Sequence, residues 1–152
     1  MEEYFGFKFE PTYYYYEHVW AKVETDGNVR VGFDDVVARG SHDVFLIKAD
    51  LLKTVVKQKK KMGVIESTKY TGPITAPISG TIVEVNQDVR KNAGKAIADD
   101  PYGVGWIAVL KPSNLYEDLK TILYGEKAVE WFKTEAQKVQ FELEASKKFN
   151  KH

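Results

Sequence analysis

The sequence contains no cysteine, and this absence excludes several kinds of chemistry. Disulfides, thiolate nucleophiles, zinc knuckles and iron–sulfur clusters all require cysteine. Any redox or thiol chemistry would therefore depend on sulfur that a cofactor brings. The three histidines, His18, His42 and His152, share no spacing typical of metal ligands, so no metal site is predicted.

Net charge and long apolar runs are lacking as well. Lys and Arg total 22 in 152 residues, as do Asp and Glu, so there is no basic excess for nucleic acid or an anionic membrane. No apolar run approaches the roughly 18 residues that suggest a membrane-spanning helix. The start, Met1-Glu2-Glu3, lacks the basic and apolar regions of a signal peptide. We therefore expect one cytoplasmic domain over 1–152, with no nucleic-acid or membrane partner.

Aromatic residues are concentrated at the start of the chain. Nine of the twenty lie in the first twenty residues: Tyr4, Phe5, Phe7, Phe9, Tyr13 to Tyr16 and Trp20. Aromatic side chains suit a pleated surface, so this segment is predicted to be extended. We interpret it as an edge strand whose rings cover the core. An exposed aromatic docking patch is the alternative.

Short β-strands separated by turns are predicted next. Asp26-Gly27 is typical of a hairpin turn between strands at 21–24 and 29–33. A helical turn is expected between an N-cap at Asp34 and a C-cap at Gly40. Further strands are predicted at 43–48, 54–57, 63–67, 74–75, 80–85 and 106–110. Because no helical crossover separates most of them, the fold class is predicted to be mostly β, an antiparallel barrel or sandwich over 1–112.

The C-terminal region, 113–150, is predicted to be helical. Ser113 is the expected N-cap of a first helix that contains Leu115 and Leu119. From Glu126 to Phe149, apolar residues are spaced by three and four and share one helix face. They are Val129, Phe132, Ala136, Val139 and Leu143. We expect this stripe to pack on the barrel, with a partner helix as the alternative.

Other motifs carry weak chemical signals. Gly103-Val104-Gly105 precedes a strand rather than opening a helix, so a dinucleotide site is rejected and 100–103 is predicted to be a β-turn. The segment from Lys48 to Lys61 contains six lysines and only one acidic residue, Asp50. Such a segment is typical of a solvated surface or of a surface that steers an acidic partner. No nucleophile elbow or P-loop is present, so no catalytic residue is predicted.

The most informative pattern surrounds Lys69. An apolar strand runs from Gly63 into Glu66-Ser67-Thr68-Lys69, and a second strand follows through a turn with Gly72-Pro73. This arrangement resembles a lipoyl-attachment hairpin, and the wider sequence resembles the glycine cleavage H-protein family. The matching blocks, between Pro11 and Phe132, are His18-x-Trp20, Val31 to Asp35, Gly63 to Lys69, Ala76 to Asn86, Asp100 to Trp106 and Lys111-Pro112-Ser113.

The resemblance implies a barrel-sandwich hybrid fold and lipoic acid in amide linkage to Lys69. Glu66, Ser67 and Thr68 then belong to the cofactor site, with Glu66 helping a lipoate-attaching enzyme to recognise the hairpin. Biotin is disfavoured, because biotin acceptors usually place Met on both sides of the lysine, where this chain has Thr68 and Tyr70. In the family, glycine decarboxylase loads an aminomethyl group, an aminomethyltransferase unloads it, and dihydrolipoyl dehydrogenase reoxidises the dithiol. The resemblance thus implies a carrier rather than an enzyme.

Three departures from the family pattern keep several functions open. Val19 and Pro73 stand where the family has carboxylates that hold the cationic amine, and Lys59 replaces a turn glycine. Glu17 is a candidate replacement acid, although strand alternation would turn it to the other side. The first hypothesis is an aminomethyl carrier. The second is a divergent lipoate-binding protein that carries sulfur for heterodisulfide-reductase-like sulfur-oxidation enzymes, and the third is an unmodified scaffold or binding module.

Overall fold

The computed structural model describes residues 1–40, 43–68 and 70–149, except for the side chains of 148 and 149. The strands and helices of these residues follow the chain in the order β1 (Glu2–Tyr4), β2 (Phe7–Phe9), β3 (Tyr14–Tyr16), β4 (Val19–Val23), β5 (Val29–Phe33), α1 (Asp35–Arg39), β6 (Val44–Ala49), β7 (Val55–Val56), β8 (Lys61–Ser67), β9 (Thr71–Thr75), β10 (Gly80–Val85), α2 (Gln87–Lys91), α3 (Ala93–Asp99), β11 (Ala108–Pro112), α4 (Leu115–Leu119) and α5 (Glu126–Phe149).

Two antiparallel sheets form the barrel-sandwich body of the protein. The larger sheet has the strand order β3-β4-β5-β11-β10-β7 and is curled, and the smaller has the order β6-β8-β9. Together they enclose aliphatic side chains that we call the barrel core. Its fully buried members include Val29, Ile47, Met62, Ile74, Ile78, Ile82 and Leu110. The predicted mostly β, barrel-sandwich fold class is confirmed.

The predicted β4–β5 hairpin and its following helical turn are also confirmed. Gly27 adopts φ +89° at the turn, and the Asn28 N–H donates to Asp26 Oδ1 at 2.9 Å. Glycine takes this backbone conformation without a Cβ penalty. Helix α1 begins after Asp34, whose carboxylate accepts a backbone N–H of the first turn at 3.1 Å, and Gly40 is its C-cap.

The N-terminal aromatic segment forms two structures instead of one edge strand. Among the residues that the structure describes, strands β1 and β2 pair only with each other, whereas β3 is an edge strand of the larger sheet. The chain turns back between β1 and β2 because Phe5 and Gly6 both adopt positive φ. The edge-strand prediction is therefore right for β3 and wrong for 2–9. Four of the nine aromatic rings, those of Phe7, Phe9, Tyr15 and Trp20, belong to a second buried group that we call the aromatic cluster. Its other members are Tyr102, Ala128, Phe132 and Ala136.

The first C-terminal helix, α4, begins one residue later than predicted. Its N-cap is Asn114, so the assignment of Ser113 as N-cap is wrong. The backbone N–H of Ser113 donates to the Ser79 carbonyl oxygen at 3.1 Å. This bond extends the contact of β11 with the start of β10 by one residue.

The long helix α5 is confirmed, but its apolar stripe packs differently from expectation. Phe132 and Ala136 are fully buried in the aromatic cluster, and the helix contacts β1, β2 and α1. The stripe therefore reaches the larger sheet through the aromatic cluster. Leu143, the last residue of the stripe, is 47% exposed, and Phe141 is 71% exposed. No helix among the described residues is long and apolar enough to cross a bilayer.

Two short helices between β10 and β11 had no counterpart in the predicted elements. Asn86 caps α2, because its Oδ1 accepts a hydrogen bond from the Asp88 N–H at 3.0 Å. Val89, Ala93 and Ile97 are buried along α2 and α3. An Asn followed by apolar residues at four-residue intervals is the sequence signal that identifies this region.

Candidate functional site

The candidate site is built on the hairpin of β8 and β9. The two strands pair from Lys61 opposite Thr75 to Glu66 opposite Thr71. Beyond this pair, the Ser67 N–H donates to the Tyr70 carbonyl oxygen at 2.7 Å, and the Tyr70 N–H donates to Ser67 Oγ at 3.1 Å. Only two residues of the sequence, Thr68 and Lys69, separate this closing pair. Lys69 itself lies outside the described residues.

Close packing of β6 against β8 holds this hairpin in place. The strands pair antiparallel, with Ala49 opposite Gly63 and Val44 opposite Ser67. A Cβ atom at Gly63 would collide with the Lys48 carbonyl oxygen, so glycine is required for the approach of the two backbones. The first glycine of the motif therefore fixes the strand that leads towards Thr68 and Lys69 in the sequence.

A cavity of about 310 Å³ lies beside the hairpin. Its lining is mostly apolar and consists of Phe33, Val37, Gly40, Asp43, Val44, Ile65, Ser67, Tyr70 and Pro73. Ile65 and Ser67 line the cavity and Glu66 between them does not, as expected from alternation along a strand. Of the predicted cofactor-site residues, the cavity thus includes Ser67, while Glu66 projects from the other face of β8.

Thr68 connects the hairpin to Asp43, a residue that the sequence did not single out. Thr68 Oγ1 donates a hydrogen bond to Asp43 Oδ2 at 2.9 Å. Asp43 also lines the cavity, and it is the one charged side chain among the described lining residues. The antiparallel pairing of β6 with β8 explains this contact. Because Val44 lies opposite Ser67, the residue before Val44 must lie next to the residues that follow Ser67.

The positions that depart from the family pattern lie in different surroundings. Val19 is 3% exposed and packs in the barrel core, whereas Pro73 lines the hairpin cavity. Lys59 adopts φ +67°, a conformation that favours glycine, as expected where a turn glycine is replaced. Glu17 lines a separate cavity with His18, so the structure does not place it in the hairpin cavity as a replacement acid.

The cavity beside Glu17 contains a partly buried polar contact, which we call the His18 clamp. His18 Nδ1 lies 2.8 Å from Asp34 Oδ2, its Nε2 lies 4.0 Å from Glu135 Oε2, and its ring centroid is 5.1 Å from that of Trp131. Burial alone would lower the pKa of His18, but the hydrogen bond and charge of Asp34, with the charges of Glu135 and Glu17, raise it overall. The clamp therefore joins the residues that precede β4 and α1 to helix α5.

Comparison with known proteins places this geometry in a family. Residues 12–135 match the family described as glycine cleavage H-protein. The chain belongs to this family. It is 38% identical over 125 residues to a probable glycine cleavage system H protein of Pyrococcus abyssi, covering 82% of this chain and 92% of that protein. It is 38% identical over 135 residues to glycine cleavage system H protein 2 of Aquifex aeolicus, covering 88% and 83%.

A solved structure agrees with the fold. The crystal structure of a glycine cleavage system H protein from Mycobacterium marinum aligns with a TM-score of 0.63 at 32% identity, covering 69% of this chain and 87% of that one. Proteins of the glycine cleavage H-protein family are carrier components and not catalysts. Family membership therefore assigns a carrier role, consistent with the lack of any predicted catalytic residue.

Proposed function

We propose that this protein is a lipoyl carrier of glycine cleavage, with lipoic acid joined through an amide bond to Lys69. The single observation that supports this proposal most strongly is the β8–β9 hairpin of an H-protein family member, closed by the Ser67–Tyr70 pair with Lys69 in its connection. The whole chain, 1–152, acts as one carrier domain in this proposal, with the β barrel-sandwich in 1–112 and the C-terminal helical region in 113–150.

The surroundings of the hairpin suit a lipoyl group. The cavity walls of Phe33, Val37, Val44 and Ile65 are apolar, as are the hydrocarbon chain and ring of lipoic acid. When bound, lipoic acid supplies a dithiolane whose sulfurs accept and release a transferred group. The sequence contains no cysteine that would exchange with these sulfurs. The protein's own contribution is to display the cofactor and to shelter it.

The proposal defines a set of cytoplasmic partners. A lipoate-attaching enzyme modifies Lys69, with Glu66 on the outer face of β8 as a recognition contact. Glycine decarboxylase and aminomethyltransferase then load and unload an aminomethyl passenger, and dihydrolipoyl dehydrogenase reoxidises the dithiol. The relatives named glycine cleavage system H protein support this set of partners.

A sulfur-containing passenger is the second candidate, delivered to enzymes of a heterodisulfide-reductase-like sulfur-oxidation system. The observation that favours it is the apolar character of two positions where the family has acids: Val19 packs in the barrel core and Pro73 lines the cavity. The same hairpin and the same lipoyl-Lys69 serve both candidates, so only the passenger and the partners differ.

Intact mass tests the attachment site. The chain is produced with a lipoylation pathway, alongside Lys69→Arg and a control, Lys61→Arg, at an exposed lysine of the same hairpin. We expect wild type and Lys61→Arg to gain one lipoyl group and Lys69→Arg to gain none, because a guanidinium does not replace the acylated amine. A folded Lys69→Arg that is still lipoylated would contradict the site. An unmodified wild type would favour a scaffold or binding module.

A loading reaction tests which passenger group the protein carries. The lipoylated protein is incubated with glycine and its pyridoxal-phosphate-dependent decarboxylase, and the intact mass of the product is measured. An aminomethyl adduct supports the glycine-cleavage proposal. If the decarboxylase loads another H protein but not this one, the sulfur-carrier candidate replaces it.

A further inference from the structure

The hairpin cavity combines apolar walls with one carboxylate. Asp43 is the single charged residue among its described lining residues, and Tyr70 is the other titratable one. From these positions we infer that Asp43 binds the protonated amine of the passenger and so selects a cationic group. This inference rests on the proposed function, because it requires a lipoyl group on Lys69. It assigns to Asp43 the charge that is missing at Val19 and Pro73.

The location of Asp43 supports this role. Its Oδ2 accepts the Thr68 hydroxyl at 2.9 Å, and Thr68 directly precedes the attachment residue in the sequence. A carboxylate has about four acceptor positions, so the bond from Thr68 leaves capacity for an ammonium group. Asp43 therefore touches both the tip of the hairpin and the cavity in which a folded-back passenger would lie.

The electrostatics of the cavity make this carboxylate selective. A charged amine among apolar walls is costly unless a group of opposite charge pairs with it. A carboxylate–ammonium hydrogen bond is stronger than a bond between neutral groups. The same negative charge repels an anionic sulfur passenger. Asp43 thus favours an aminomethyl group over a persulfide or other anionic sulfur group on the same arm.

The other acids near the hairpin are not placed for this task. Glu66 does not line the cavity, since it lies between two residues of β8 that do. Glu17 lines the cavity of the His18 clamp instead. Asp43 is therefore distinguished by position, not by residue type alone.

The test measures how long the passenger stays on the carrier. Lipoylated protein is loaded with glycine and its decarboxylase, the enzyme is removed, and loss of the aminomethyl group is followed by intact mass. Release breaks the bond between sulfur and the aminomethyl carbon: the lone pair of the amine expels the thiolate, and water hydrolyses the resulting iminium to formaldehyde and ammonia. Protonation withholds that lone pair, so Asp43 should slow release. We expect Asp43→Asn to release the group about tenfold faster, the effect of losing one charge-assisted hydrogen bond. Asp99→Asn, at an exposed ion pair with Lys95, should release at the wild-type rate.

Two further measurements separate charge from structure. Asn retains an oxygen that accepts the Thr68 hydroxyl, whereas Thr68→Val removes this hydrogen bond and keeps the carboxylate. We expect Thr68→Val to release more slowly than Asp43→Asn. Asp43→Asn should also move the pH midpoint of release to lower pH, because loss of the negative charge lowers the pKa of the bound amine.

The outcomes distinguish the inference from the proposed function. If the wild type carries no lipoyl group, the carrier proposal fails. If the wild type is lipoylated and loaded, but Asp43→Asn releases at the wild-type rate with an unchanged pH midpoint, Asp43 is not the amine-binding residue and the carrier proposal stands. A lipoylated wild type that accepts no aminomethyl group overturns both the glycine passenger and the role of Asp43.

Discussion

The barrel core and the aromatic cluster stabilise different parts of this protein by different means. The barrel core consists mainly of aliphatic side chains, whose burial is favourable but has no direction. The aromatic cluster adds directed hydrogen bonds: Tyr102 donates to the Lys8 carbonyl at 2.6 Å, and Tyr15 to the Glu10 carbonyl at 2.7 Å. The barrel core therefore supports the hairpin, whereas the cluster fixes the N-terminal strands and α5 in one orientation.

The buried hydroxyls of the cluster remain donors under ordinary conditions. Burial raises the pKa of both Tyr15 and Tyr102 far above the usual tyrosine range, and the charge of Asp34 raises both further. Neither group therefore ionises at physiological pH, and both hydrogen bonds to backbone carbonyls persist.

The largest expected effect tests whether the cluster is separable from the site. Phe132→Ala removes a fully buried ring that lies 4.8 Å, centroid to centroid, from Phe9. We expect a loss of about 3–5 kcal/mol in the free energy of unfolding, measured by urea denaturation. The rate of lipoylation of the folded protein should stay at the wild-type value, because the hairpin rests on the barrel core.

Ile74→Ala is the matched variant in the barrel core. Ile74 is fully buried in β9, so its truncation should cost about 2–5 kcal/mol, similar to the cost of Phe132→Ala. Lipoylation should slow in this variant, since the hairpin loses its own packing. Equal lipoylation rates in both variants would show that the two regions are not distinct in function.

A smaller effect tests how much the hydrogen bonds of the aromatic cluster contribute to stability. Tyr102→Phe keeps the ring but removes a hydroxyl that donates to the Lys8 carbonyl and accepts the Asp35 N–H at 3.1 Å. Because two partly or fully buried backbone groups lose this partner, we expect a destabilisation of about 1–3 kcal/mol by urea denaturation. No change in the urea midpoint would mean that packing alone orders the cluster.

The smallest expected effect is a pH dependence of the His18 clamp. The pKa of His18 is raised in the folded state, so its contribution to stability is complete below the unfolded value of about 6.5. This contribution is lost as pH rises through the folded pKa. We expect the stability difference between wild type and His18→Gln to decrease as pH increases. A difference that grows with pH, measured by urea denaturation, would contradict this assignment.

Local signals predicted much of the fold. The turn at Asp26-Gly27, the caps of α1 and the start of α5 were correct, because each depends on neighbouring residues that are visible in the sequence. The N-cap prediction at Ser113 was wrong by one residue, because local signals do not show that the strand contact extends past Pro112, where the Ser113 N–H bonds to the distant Ser79. The aromatic segment failed similarly, because its periodicity does not reveal which strand it pairs with.

Only the part of the candidate site that lies within the sequence motif could be predicted from the sequence. The block from Gly63 to Thr68 identified the hairpin, while the position of Lys69 lies outside the described residues. Asp43 was missed because it lies 25 residues before Thr68 and meets it through the pairing of β6 with β8. The exclusion of Glu17 likewise required the fold, since strand alternation alone does not show which cavity a turn residue lines.

The contact of Trp131 with His18 has a practical consequence. The two ring centroids are 5.1 Å apart, with His18 in a turn of the sheet and Trp131 in α5, so separation of α5 from the sheet changes the surroundings of this indole. Trp20, by contrast, is buried with its indole N–H bonded to backbone carbonyls, and Trp106 lies under the Arg30 guanidinium. Fluorescence emission from Trp131 therefore gives the protein a label-free optical reporter of whether its C-terminal helix α5 is packed against the sheet.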